Sequence, residues 1–152
     1  MAFDIQDRNW MELALAQAER AAANGEVPVG AVFVKDNAVA AKAGNSPIIT
    51  CDPTAHAEIN VIREASRNLA NYRLGGTIYV TLEPCLMCMG AIIHSRVERL
   101  VFGAYDAKTG AAFSTYQIGT DKKLNHTLIV EGGLLEKPCG RLLKNFFQQR
   151  RD

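Results

Sequence analysis

The sequence of 152 residues has almost no net charge, formally +1 from 17 basic and 16 acidic side chains. So even a balance excludes binding of a polyanion through bulk charge, and any such affinity must come from a local patch. No apolar run approaches the roughly 20 residues that a membrane-spanning helix needs. The chain opens on a charged amphipathic segment, which is not the pattern of a signal peptide. The expectation is a soluble, cytoplasmic protein with no membrane partner. Cysteines number only four and show no framework spacing, so disulfides are not expected; Cys51 and Cys139 read as free thiols. Repeats, low-complexity tracts and linkers are also lacking. With 48% hydrophobic residues the chain can fill one core but is too short for two ordinary domains, so 1–152 reads as a single domain.

Apolar periodicity predicts a helix over 5–24, with Trp10, Leu13 and alanines on its buried side and Gly25 as its stop. Strands follow at 29–35 and 38–44, joined at Asp36-Asn37 by a tight hairpin. After a loop over 45–51, Asp52 as cap and Pro53 at the first helical position predict a helix running to Leu69. A buried strand at 77–82, a helix at 85–94, strands at 99–104 and 127–131, and a last helix at 138–150 complete the pattern. Strand–helix–strand order calls for crossovers with helices on both faces of a mixed sheet, a three-layer α/β/α plan with five strands.

Two short motifs carry chemistry on this frame. His56-Ala57-Glu58 falls at the start of one helix, and Pro84-Cys85-Leu86-Met87-Cys88 joins a strand to the next. One histidine and two cysteines form the ligand set of an open zinc site; a structural zinc takes four protein ligands, and no fourth stands at motif spacing. Cys85 and Cys88 lie one turn apart on one helical face, and a helix N-terminus favours thiolate. Glu58 lies outside the ligand set and suits the work of acid and base. Taken singly, a C-x-x-C could be a redox pair and a histidine at a helix start a simple cap. Jointly they read as the site of a zinc hydrolase.

The combination H-x-E and P-C-x-x-C is the signature of the zinc nucleobase deaminases. On those residues the chain resembles the cytidine deaminase superfamily. Within it the resemblance is greatest to the bacterial tRNA-specific adenosine deaminases, and it spans nearly the whole chain through 26–32, 52–58, 79–85, 94–96, 102–112, Asn125-His126 and Phe146-Phe147. The resemblance implies the cytidine deaminase fold, one zinc per subunit on His56, Cys85 and Cys88, and Glu58 as proton shuttle. The implied reaction converts the wobble adenosine of a tRNA anticodon stem-loop, an arginine tRNA, to inosine. It further implies that Asn45 bonds the flipped base, that Val27, Ala57 and Leu82 wall it, and that Asp106 and Lys108 meet the RNA backbone near the target. A homodimer is implied as well, formed near the zinc helix with its Met87, Met89, Ile92 and Ile93.

As bare residues, Asn45, Asp106 and Lys108 would be turn formers, and Phe147 could stack on a base or pack beside Phe146. Lys137, Arg141, Lys144, Arg150 and Arg151 crowd the last helix, with Glu136 and Asp152 as its nearest acids; they form either a solvated face or an RNA patch, and the resemblance favours RNA. The chain departs from the family pattern at Gly44, where relatives carry a bulky aromatic, and at Tyr105, where a basic residue occurs. Loss of charge at 105 weakens phosphate contact, whereas a ring there could stack on a base. Two rival functions share the signature. One is a deaminase of a free base or nucleotide of the guanine or cytosine type, and the other a zinc-stabilised RNA-binding module without catalysis. The segment 106–112 and the basic helix oppose the first, and Glu58 opposes the second, having no structural duty at the metal.

Overall fold

A reciprocal cap opens the first helix, α1 (Ile5–Ala23): the Asp4 carboxylate accepts from the Asp7 N–H at 2.7 Å and the Asp7 carboxylate accepts from the Asp4 N–H at 3.1 Å. The computed structural model describes residues 3–151; Met1, Ala2 and Asp152, the ends of the expected domain, lie outside the described residues. α1 ends at Ala23 with Asn24 as its C-cap, and Gly25 follows with φ +82°, a left-handed turn that favours glycine. Its buried side is Met11, Ala14, Ala18 and Ala21, while Leu13, expected inside, is exposed. Beyond Met11 that side of α1 is mainly alanine, because the helix lies almost on the sheet. A Cβ at Gly30 would fall 2.0 Å from the Ala14 carbonyl oxygen, so only glycine fits there.

β1 (Gly30–Lys35) and β2 (Ala38–Gly44) form the expected hairpin, in which Asp36 and Asn37 have φ of 52° and 61°. Two successive positive φ values match a primed turn, whose twist suits the flanking strands. β3 (Thr77–Leu82), β4 (Arg99–Ala104) and β5 (Ile129–Gly132) complete a five-stranded sheet in the order β2-β1-β3-β4-β5. β1 pairs antiparallel with β2 and β3, whereas β3–β4 and β4–β5 are parallel, so the sheet is mixed as expected.

Both faces are covered. On one, α3 (Ala57–Leu69) and α4 (Leu86–His94) pack Val61, Met89 and Ile92 against Phe33, Ile78, Val80, Leu100 and Phe102. On the other, α1 and α5 (Glu136–Arg151) close over Val32, Tyr79 and Val101. Phe33 and Phe102 are fully buried, so truncating either to Ala would cost about 3–5 kcal/mol. Cys139 is a buried free thiol whose sulfur occupies the space where a Cβ at Gly103 would stand, 2.5 Å away, and this seats α5 on β4. Cys51 is free and exposed. Beneath α1, Arg99 bridges Asp7 at 2.8 Å and Glu131, and the Tyr79 hydroxyl donates to Asp7 at 2.6 Å. Burial alone would raise the Asp7 carboxyl, but the bonds from Arg99 and Tyr79 outweigh it and hold it down at about 2.

Several boundaries differ from the sequence reading, each for a local reason. The loop after β2 contains a short helix, α2 (Pro47–Thr50), with Pro47 in its first turn. α3 begins four residues later than expected. Asp52 does not cap it: its carboxylate turns back to accept from the Thr54 N–H at 2.8 Å and the Thr54 hydroxyl at 2.7 Å, a competing local turn. α5 starts two residues before Pro138, which is compatible with proline in a first turn. β5 begins at Ile129 instead of 127. Among the described residues no helix is long and apolar enough to cross a membrane.

Candidate metal centre and active site

Two helix starts deliver the ligands. His56 is the residue preceding α3 and Cys85 the residue preceding α4, each at the N-cap with extended backbone, and Cys88 lies one turn into α4. β3 ends at Leu82, so the chain turns from the sheet into the cysteine helix within a few residues. His56 Nδ1 lies 3.6 Å from Cys85 Sγ and 3.5 Å from Cys88 Sγ. Tetrahedral zinc bonded at about 2.0–2.1 Å to nitrogen and about 2.3 Å to sulfur sets those atoms about 3.6 Å apart, so the donor set fits zinc in both chemistry and spacing. Among the described residues this is the one group of three or more ligand-type side chains within 4.8 Å of one another. Among the described residues no fourth histidine, cysteine or carboxylate joins it.

Electrostatics at the triplet suit a cation. The neighbouring Cys88 thiol and His56 pull the Cys85 thiol down to about 4 against the cost of burial, while the same contact and burial push Cys88 up. One thiolate of the pair is therefore favoured already, at the positive end of α4. The contact with Cys85 raises His56, and a metal ion would displace that proton. Glu58 sits in the first turn of α3, only 4% exposed, beside the triplet but outside it. Burial pushes its carboxyl up to about 7, with His56 acting in the opposite sense. A carboxyl poised there can both take and return a proton near neutrality.

The triplet opens into a cleft of about 610 Å³. Asn45, Val27, Leu82, Asp106, Lys108 and Phe147, all expected at the substrate, line it together with His56, Glu58 and Cys85. Ala57 does not: it is fully buried in the core, and only its backbone takes part, donating its N–H to the Asn45 side-chain oxygen at 2.7 Å. Asn45 thus satisfies the first free N–H of α3 as well as facing the cleft. Phe147 meets Phe146 edge-on at 5.5 Å and is about half exposed, so it is a cleft residue and not core. Arg150 does not project freely from the basic helix: its guanidinium donates to the Gly25 carbonyl at 2.7 Å and lies 4.5 Å over the Phe146 ring.

Local packing surrounds both positions that were expected to depart from the resemblance, Gly44 and Tyr105. A Cβ at Gly44 would lie 2.9 Å from the Gln17 carbonyl oxygen, so the close approach of α1 leaves no room for a bulky residue. The Tyr105 ring packs edge-on against Phe102 at 4.9 Å and lines the cleft. Besides Asp7 under α1, two buried carboxylates were not singled out by sequence reasoning. Glu26 accepts from the Ile48 and Ile49 N–H groups at 3.1 and 2.9 Å and holds α2. Glu83 accepts five hydrogen bonds from the segment after β4, which outweigh burial and lower its carboxyl. A lone acid among apolar residues is the one signal that could have pointed to them, since a buried carboxylate requires donors.

Comparison with known proteins agrees with this geometry. Residues 4–104 match the cytidine and deoxycytidylate deaminase zinc-binding region. The chain is 51% identical over 148 residues to the tRNA-specific adenosine deaminase of Haemophilus influenzae, covering 96% of the chain and 86% of that protein. It is 44% identical over 147 residues to the tRNA-specific adenosine deaminase of Bacillus subtilis, covering 96% of the chain and 91% of the relative. A solved structure from a study of A-to-I editing by tRNA deaminases at the wobble position of transfer RNA superposes with a TM-score of 0.86. It is 45% identical, with 89% of this chain and 99% of that one covered.

Proposed function

The chain belongs to the family of the cytidine and deoxycytidylate deaminase zinc-binding region, and on that footing we propose that it hydrolyses the wobble adenosine of a tRNA anticodon loop to inosine. The observation that carries this reading is Glu58, buried beside an open His56–Cys85–Cys88 triplet and lining the same cleft as Asn45 and Lys108. The identity to two tRNA-specific adenosine deaminases over nearly the full chain selects the substrate class.

His56, Cys85 and Cys88 would hold one zinc per chain, and the ion would supply Lewis-acid activation of a water. Glu58 would carry both protons of the water, the first to the ring nitrogen as the oxygen bonds C6 and the second, from the resulting hydroxyl, to the amine as the C6–N bond breaks. Water and adenosine thus become inosine and ammonia, with no redox cofactor. Asn45, with its oxygen committed to the Ala57 N–H, turns its amide donor to the base. Val27 and Leu82 bound the ring, Asp106 and Lys108 meet the RNA backbone, and Phe147 offers a face for a flanking base. An adenine within a stem cannot reach a recessed site, so the target is an unstacked loop base flipped into the cleft.

The natural substrate in this reading is an arginine tRNA, met in the cytoplasm. The working unit is a symmetric homodimer. Met89, Ile92 and Ile93 are buried within the subunit, so the support for a dimer comes from the start of α4, where Leu86 and Met87 are exposed. A monomer in light scattering at micromolar concentration would contradict the dimer. The activity is tested by incubating the protein with an anticodon stem-loop carrying wobble adenosine, and in parallel with free adenosine, guanine and cytosine. Inosine from the stem-loop alone is expected. Free bases or nucleosides reacting as fast would replace tRNA with a small-molecule substrate.

A further inference from the structure

Glu83 stands between the end of β3 and Pro84-Cys85, only 2% exposed, and the deaminase chemistry above gives it no task. Its carboxylate collects both ends of the segment 106–114. One oxygen accepts from the Asp106 N–H at 3.0 Å and from the Ser114 hydroxyl; the other accepts from the N–H groups of Ala112, Phe113 and Ser114 at 3.2, 2.8 and 2.9 Å. Backbone contacts lock the same pieces together: the Ala111 N–H donates to the Pro84 carbonyl, and the Glu83 N–H to the Ala104 carbonyl, both at 2.8 Å. Gly110 makes the approach possible. A Cβ there would lie 2.3 Å from the carboxyl carbon of Glu83 and 2.5 Å from the Asp106 carbonyl oxygen.

The held segment is a wall of the cleft, contributing Asp106, Ala107, Lys108 and Thr109. Those four residues take their places from Asp106 onward, and the Asp106 side chain, accepting from the Lys108 and Thr109 N–H groups at 3.1 Å each, carries the order along the turn. A residue two positions from a zinc ligand therefore sets where the substrate-facing wall stands relative to that ligand. A segment of this length without regular structure loses definition unless its backbone donors are satisfied, and an anion satisfying several at once is the strongest way to do so.

We infer that Glu83 is a positioning residue of the deaminase site: a buried anion around which the segment 106–114 is wrapped, so that the RNA-contacting wall is registered against Cys85. The inference rests on the deaminase reading, and it assigns Glu83 to substrate binding and not to proton transfer. In Glu83→Gln one oxygen becomes an amide donor facing N–H groups, so the wrap loosens while volume is kept. The expected result is a rise in KM for the anticodon stem-loop of about tenfold, with kcat nearly unchanged and one zinc per chain retained. Amide exchange should accelerate at 106–114 and nowhere else. Ser114→Ala, which removes one donor and keeps the backbone, should show the same pattern weakly, and it decides the matter if Glu83→Gln loses zinc or fails to fold. Unchanged KM and unchanged exchange in the folded variant would overturn the inference, as would a fall in kcat with KM intact. An unmodified protein inactive on the stem-loop would instead sink the tRNA reading, and the exchange measurement would still report on Glu83.

Discussion

Replacing Glu58 with Gln is the sharpest test of the chemistry, because it removes the proton carrier and little else. The side chain is 4% exposed, in the first turn of α3, beside the ligand triplet but not of it. Gln has nearly the same volume, so α3 and the packing of its Val61 against the sheet should persist. General acid–base catalysis by a positioned group contributes roughly 10²–10⁴-fold per proton transfer, and the proposed reaction asks Glu58 for more than one. A loss in kcat of at least about 10³-fold follows, equivalent to about 4 kcal/mol of transition-state stabilisation. The measurement is single-turnover deamination of the stem-loop with enzyme in excess, alongside RNA affinity by filter binding and zinc by elemental analysis. Affinity and zinc should stay as in the unmodified protein. A residual rate within about tenfold of normal, with zinc bound, would remove Glu58 from the reaction; loss of the ion would make it part of the metal site instead.

Other measurements test neighbouring links. X-ray absorption should report two sulfurs at about 2.3 Å and a nitrogen at about 2.0–2.1 Å around one zinc per chain, and a chelator should abolish activity; a third sulfur or a fully protein-ligated ion would contradict an open site. Asn45→Ala should lower kcat/KM while retaining zinc, and should cost about 1 kcal/mol of stability through the lost bond to the Ala57 N–H; an unaltered kcat/KM would take Asn45 out of base recognition. Asp7 is held at about 2 in the folded chain against 3.8 ordinarily, so its contribution of about 2 kcal/mol is present above pH 4 and is lost as pH falls through 2. Thermal unfolding compared between pH 5 and pH 2 should therefore fall less steeply in Asp7→Asn than in the unmodified protein, and parallel curves would refute the Arg99–Tyr79 account.

Local pattern alone determined much of this protein. Strands β3 and β4, the β2 limits, the hairpin at Asp36-Asn37 and the ligand triplet follow from short-range chemistry: alternation of apolar residues, residues that tolerate positive φ, and the limited set of side chains that bind zinc. The order of the sheet, the closeness of α1 that forces Gly30 and Gly44, and the burial of Met11 in place of Leu13 belong to packing between segments distant in sequence. Asp52 read as a cap because its local sequence allows it, but a nearer turn at Thr54 captured its carboxylate and His56 became the start of α3. Likewise Arg150 counted as a free cation until Gly25 and Phe146, brought to it by the fold, engaged it. The roles of Glu26 and Glu83 were decided only in three dimensions. A carboxylate in a sequence carries no mark of the backbone N–H groups that will surround it, because those donors come from segments that reach it only when the chain has folded.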